Sequence, residues 1–143
     1  MEITEVVFSS EETDFQINNA RMFAQWIKNL IGKHKKLLGE INYIFCSDNY
    51  LHELNVQHLN HDTLTDIITF DYSNSGIISG DIFISIDRVK ENSIDFKVKF
   101  ENELKRVMAH GVLHLIGFND KSPEQQKEMS AQEDEAISLF ETI

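Results

Sequence analysis

The run His110-Gly111-Val112-Leu113-His114-Leu115-Ile116-Gly117-Phe118-Asn119-Asp120 constrains this chain more than any other stretch. Its pattern is H-x-x-x-H-x-x-G-x-x-D. A helix repeats about every 3.6 residues, so side chains four apart lie one above the other. The two imidazoles can therefore reach one metal ion. Gly117 comes three residues after the second histidine. Glycine tolerates the left-handed backbone that commonly ends a helix, so the chain can stop there and fold back. Asp120 is then placed to add an oxygen ligand from the returning chain. Two imidazoles and a carboxylate leave one position open for water or substrate, which is the catalytic arrangement of zinc. Histidine pairs at helical spacing also arise by chance. The glycine and the acid at fitting offsets favour the metal.

The surroundings point the same way. Val107, Met108, Val112, Leu113, Leu115 and Ile116 cover most of the helix circumference, so the helix is expected to be buried. A histidine buried there needs partners for both ring nitrogens. The residue after the first histidine is Gly111, where the zincin peptidase pattern H-E-x-x-H has its general base. Glycine inside a helix costs roughly 1 kcal/mol relative to alanine. Its presence here suggests close approach of another segment, or of substrate, to the backbone. A peptidase of the ordinary kind is disfavoured.

At 143 residues the chain fits one domain, residues 1–143, with a core of its own. Ten phenylalanines and 41% apolar residues argue against disorder. No apolar run approaches the ~20 residues of a membrane span, and Met1-Glu2-Ile3-Thr4-Glu5 has no basic signal-peptide region. The single Cys46 excludes an internal disulfide and fits a reducing compartment, so a cytoplasmic location without membrane contact is expected. Beside Ile44 and Phe45 it reads as structural strand core. The net charge of −11 argues against a protein that coats nucleic acid through a basic face. A local basic patch or a bound cation can still attract phosphate. The clearest basic cluster, Lys33-His34-Lys35-Lys36, reads as a helix-end loop whose lysines suit the helix dipole.

Taken in order, Ile3 to Phe8 reads as a strand broken by Ser9-Ser10-Glu11-Glu12. Asp14 or Asn18 can cap a helix with apolar positions Ile17, Ala20, Phe23, Ala24, Ile27, Leu30 and Ile31, with Trp26 at its margin and Gly32 at its end. Gly39 to Ser47 is a second strand. Ser47-Asp48 starts a helix that uses Leu51 and Leu54, followed by a polar loop from Gln57 to Thr63. That loop holds His58 and His61, which read as surface groups or as contributors to the site. Thr65 to Tyr72 and Gly80 to Ile86 are expected to pair as an antiparallel hairpin across a turn at Gly76. Asp87 is expected to cap a short helix through Asn92, and Phe96 to Ile116 to form the metal helix. Ser122, Pro123 and Gln125 form the capping box of a last helix. The order predicts an α+β domain, a mixed sheet of about four strands with helices packed on it. The zincin-like metal helix should lie against the sheet with its histidines at an edge.

Three blocks carry a resemblance. They are Leu54-Asn55 with Thr65-Asp66-Ile67-Ile68-Thr69-Phe70, then Gly80-Asp81-Ile82, then His110-Gly111-x-Leu113-His114-Leu115-x-Gly117-Phe118. The chain resembles the YbeY family of ribosomal-RNA maturation and quality-control endoribonucleases, which reads HGxLHLxG followed by an aromatic residue. The resemblance implies a metal-dependent hydrolase acting on single-stranded RNA of a small-subunit ribosomal precursor. It implies one Zn2+ or another divalent ion, and the ribosome or ribosome-associated proteins as partners. It also accounts for Gly111. Two positions depart from the family. Asp120 stands where the family usually has a third histidine, giving a ligand set that also suits iron. Leu59 is the nearest counterpart of an arginine that family members commonly carry for cleavage; His58 and His61 beside it are candidates for a base or phosphate contact. Asp66 and Glu103 are candidates to orient a ligand, with a structural acid at the strand edge and a plain solvated group as their respective alternatives. A ribosome-associated RNA-binding module with a structural metal, or a divergent metallopeptidase, are the rival readings.

Overall fold

The computed structural model describes residues 5–59 and 65–143, with the backbone alone at 58 and 59. The elements follow as β1 (Glu5–Glu11), α1 (Ala20–Lys33), β2 (Leu37–Cys46), α2 (Asp48–Leu59), β3 (Ile67–Asp71), β4 (Ile77–Ser85), α3 (Ile86–Asp95), α4 (Phe100–Ile116) and α5 (Pro123–Phe140). The strands form one sheet in the order β1-β2-β4-β3. β1, β2 and β4 run parallel, and β3 returns antiparallel along the edge of β4. This is the expected α+β domain with a mixed four-stranded sheet.

Period-two alternation sorts the strand side chains between two layers. Ile41, Tyr43 and Phe45 of β2 and Ile78, Ile82 and Ile84 of β4 join α1, α4 and α5 in the main core. Ile68, Phe70 and Phe83 point to the other face, where they pack with Cys46 and with Leu51 of α2. The metal helix α4 therefore lies on the main-core face, over β3 and β4. The Tyr43 hydroxyl donates to the Met108 carbonyl at 2.8 Å and ties α4 to the sheet from within.

Several local expectations change. β1 continues through Glu11, because Ser9, Ser10 and Glu11 still pair with Ile44, Phe45 and Cys46; backbone pairing outlasts the polar side chains. α1 starts at Asn19, in left-handed geometry and without a side-chain cap, rather than at Asp14 or Asn18. Trp26 is central rather than marginal: it is 0% exposed. Its indole N–H donates to the Ala136 carbonyl at 2.8 Å. α2 extends to Leu59, so Gln57 and His58 are helical rather than loop. α3 is capped by Ser85, whose hydroxyl accepts from the Arg88 N–H, while Asp87 falls inside the first turn and accepts from the Asp48 N–H. α3 also runs on to Asp95, so Phe96 closes its C-terminus and α4 begins only at Phe100. Ser122, Pro123 and Gln125 form the complete capping box at the start of α5. Lys33 closes α1 in an ion pair with Glu135, and Cys46 is buried strand core.

Candidate metal centre

Close packing fixes where α4 sits. A Cβ on Gly111 would come within 2.9 Å of Ile82 Cγ2 and 3.0 Å of Ile67 Cδ1. Only a glycine lets the helix backbone press this closely onto β3 and β4. The segment that approaches Gly111 is thus the sheet itself. Two turns of side chains on the adjoining face, His110 and His114, then hang over the sheet edge.

The helix ends as its glycine predicts. Gly117 takes φ of 129°, a conformation that side chains disfavour. Its N–H reaches the Leu113 and His114 carbonyls at 3.1 Å, and the Phe118 N–H reaches Leu113 at 3.0 Å. Those bonds satisfy carbonyls the helix leaves open and turn the chain back. The turn delivers Asp120 to the two histidines.

The three ligand atoms form a near-equilateral triangle. His110 Nε2 and His114 Nε2 are 3.0 Å apart. Asp120 Oδ2 lies 3.3 Å from each of them. Roughly 3.3 Å is the edge of a tetrahedron built with zinc–ligand bonds of about 2.0–2.1 Å. The three edges define a point about 1.9 Å from every ligand atom, so an ion at zinc distances fits just off their plane. Among the described residues, His110, His114 and Asp120 are the group able to hold a metal.

Sequence reasoning missed one residue of this site, Glu133. It comes from α5 and is 7% exposed. Its Oε2 lies 2.7 Å from His110 Nδ1, and its Oε1 accepts from Arg106 at 2.9 Å. Arg106 also donates to Asp134. An ionised carboxylate only accepts, so the bond keeps the hydrogen on His110 Nδ1 and turns the Nε2 lone pair toward the triangle. Such outer partners orient a metal-binding histidine and raise its basicity. Burial alone would depress His110; the Glu133 bond and charge, with Asp120 and Asp66, outweigh it and raise its pKa. A signal for Glu133 was present in the sequence. The buried stripe of α5 is Met129, Glu133, Ala136 and Phe140, so an acid occupies an apolar position.

The other candidates fall as follows. A cleft of about 270 Å³ opens beside His110 and Asp120, lined by Asp66, Ile67, Glu103, Arg106, Val107 and Glu133. Asp66 lines it but accepts from Asn92 at 3.4 Å; Glu133 is the hydrogen-bond partner of His110 Nδ1. Burial raises the Asp66 pKa. Glu103 is buried in the same cleft rather than solvated. His58 lies on α2, with its side chain outside the described residues; His61 lies outside them altogether, and Leu59 is described only as helical backbone.

A mixed sheet with two helical histidines and a returning carboxylate at its edge defines the class, an α+β domain with a His-His-Asp group that could hold a metal ion. The family model described as Endoribonuclease YbeY matches residues 6–141. A relative from Flavobacterium johnsoniae named Endoribonuclease YbeY is 54% identical, over 90% of this chain and 93% of its own. Another of that name from Christiangramia forsetii is 46% identical over 98% of this chain and 97% of its own. The chain belongs to the YbeY endoribonuclease family. The solution structure of TM1509 from Thermotoga maritima shares the fold, with a TM-score of 0.64 at 24% identity over 94% of this chain and 88% of that one.

Proposed function

We propose that this protein is a single-strand-specific, metal-dependent endoribonuclease of ribosomal-RNA maturation and ribosome quality control, working through one ion held by His110, His114 and Asp120. Family membership makes it an RNA hydrolase. The observation that carries the metal is the triangle of ligand atoms with edges of 3.0–3.3 Å. Zinc is the ion chosen, and two histidines with a carboxylate would also take iron. Bound there, it would polarise a phosphoryl oxygen and bring the pKa of its water toward ~7.

The protein groups have separate tasks. Glu133 keeps the proton on His110 Nδ1 and so fixes the ring that meets the ion. Arg106 holds Glu133 in turn. Asp120 lowers the net charge at the ion. Ile67 and Val107 form the apolar part of the neighbouring cleft's lining. No carboxylate follows the first histidine, and the base or phosphate contact is assigned to His58 or His61, flanking Leu59. The substrate is a small-subunit ribosomal precursor, the partners are the ribosome or proteins bound to it, and the setting is the cytoplasm.

Metal analysis with RNA and peptide cleavage assays, wild type against His114→Ala, tests this reading. Expected is stoichiometric metal and RNA cleavage in the wild type, both lost in the variant. Metal without cleavage would support a ribosome-associated module with a structural ion. Peptide cleavage would support a divergent metallopeptidase, which Gly111 disfavours. Stoichiometric metal in the variant would refute the ligand assignment.

A further inference from the structure

The metal triangle leaves one buried charge in the same cleft unexplained. Glu103 is 5% exposed and lines the cleft beside His110 and Asp120. Among the described residues its carboxylate has no hydrogen bond or ion pair, and its oxygens open onto the cleft. Glu133, as deeply buried on the opposite helix, is held by both His110 and Arg106. A carboxylate that opens onto a cleft takes its donors from water there, and a ligand with well-placed donors can displace that water.

The chemistry of that donor can be narrowed. Among the described residues the metal-competent group is the triangle alone, so Glu103 and Asp66 do not gather around a second ion. Ile67 and Val107 are the apolar part of a lining otherwise made of ionisable side chains, around a space of about 270 Å³ that can take a flat ring. Nucleobases are read this way, by apolar contact on the faces and hydrogen bonds on the Watson–Crick edge. A carboxylate offers two acceptors side by side. Guanine alone presents two adjacent donors, N1–H and N2–H. Adenine and cytosine set one amino donor beside an acceptor, and uracil flanks its N3–H with two carbonyls. Glu103 precedes His110 by two turns of α4, roughly 10 Å. That is about the reach of one nucleotide from its phosphate to the far edge of its base.

We propose that this cleft is a guanine subsite in which Glu103 accepts from N1–H and N2–H of the base next to the scissile phosphate. The proposal rests on the nuclease reading above and adds a sequence preference to it. Asp66, tied through one oxygen to Asn92, lines the same cleft and leaves its other oxygen as a further acceptor. Burial, and after it the charges of Asp66 and Glu133, raise the Glu103 pKa against the opposing charge of Arg106.

The test uses binding and does not require cleavage. Metal-free full-length protein is titrated with GMP, AMP, CMP and UMP by NMR, for the wild type and for Glu103→Gln. Circular dichroism checks that the variant is folded, and Glu103→Asp serves as a second variant that keeps the charge. The expected result is GMP bound about 10-fold tighter than UMP, in keeping with a good two-point base contact. Glu103→Gln should remove that preference and Glu103→Asp should keep part of it. Equal binding of all four nucleotides, or an unchanged preference in Glu103→Gln, overturns the proposal. Sequencing of ends cut from a random single-stranded RNA pool with zinc present separates the two readings. Guanine-selective binding with no cleavage by the wild type sinks the nuclease reading and leaves Glu103 as a guanine contact of a binding site. Cleavage without base preference sinks the subsite and leaves the nuclease.

Discussion

Gly111→Ala sets two effects of known size against each other. Alanine in a helix interior is favoured over glycine by roughly 1 kcal/mol. Against that, the new Cβ would sit 2.9 Å from Ile82 Cγ2, 3.0 Å from Ile67 Cδ1 and 3.2 Å from Ile82 Cδ1. Carbon atoms pack comfortably at about 3.5–4.0 Å. α4 or the two isoleucines must therefore give way by about half an ångström or more. Inserting a methyl into a packed core costs typically 1–3 kcal/mol. The net is a loss of about 0–2 kcal/mol. Urea unfolding of metal-free protein, with the variant compared at equal slope, measures it. Zinc affinity should hold within about threefold, because both histidines ride on the same helix and move together. Pairing the change with Ile67→Val, which removes the Cδ1 contact, should recover part of the loss. A gain of about 1 kcal/mol for Gly111→Ala would mean that helix propensity acts with no steric opposition from Ile82 and Ile67.

Glu133→Gln, which weakens the acceptor for His110 Nδ1, should reduce zinc affinity about 10–100-fold in a chelator competition; unchanged affinity removes Glu133 from the site. Trp26→Phe leaves the Ala136 carbonyl without its buried donor and should cost about 1–3 kcal/mol, read by thermal unfolding. Burial first, then the charges of Asp48, Asp87, Glu12 and Glu11, lift the Cys46 thiol from 9.0 to about 12. Below the unfolded value both states are neutral. As pH rises past it the unfolded chain loses the proton first, so stability falls from pH 9 toward 12, by about 1 kcal/mol between pH 9 and 10. Cys46→Ala should flatten that part of the unfolding profile, and an identical alkaline slope in the variant would show the thiol is not responsible.

Legibility in the sequence followed the range of the interaction. Short-range signals carried through: the histidine spacing, the Gly117 turn and the Ser122–Gln125 capping box depend on residues a few positions apart. Alternation in β4 placed Ile82 and Ile84 on the core side and Phe83 on the other. Capping choices failed where two acceptors competed. Ser85 took the cap of α3 because it ends a strand in extended geometry, and Asp87 was drawn to the Asp48 N–H across the fold. Trp26 could not be placed from its own helix, since its partner is the carbonyl of Ala136. Glu133 illustrates the same limit at the site. Its role exists only because α5 packs on α4, and no spacing rule joins it to His110. What the sequence offered was an acid in an apolar stripe, which marks a buried charge but not its partner.

The most direct measurement is zinc-edge X-ray absorption on the zinc-loaded protein, wild type against Asp120→Ala. The expected result is one zinc per chain with two imidazole nitrogens and a carboxylate oxygen at about 2.0–2.2 Å, and loss of that oxygen in the variant. A wild-type spectrum with one histidine or none, or one that Asp120→Ala leaves unchanged, would contradict it.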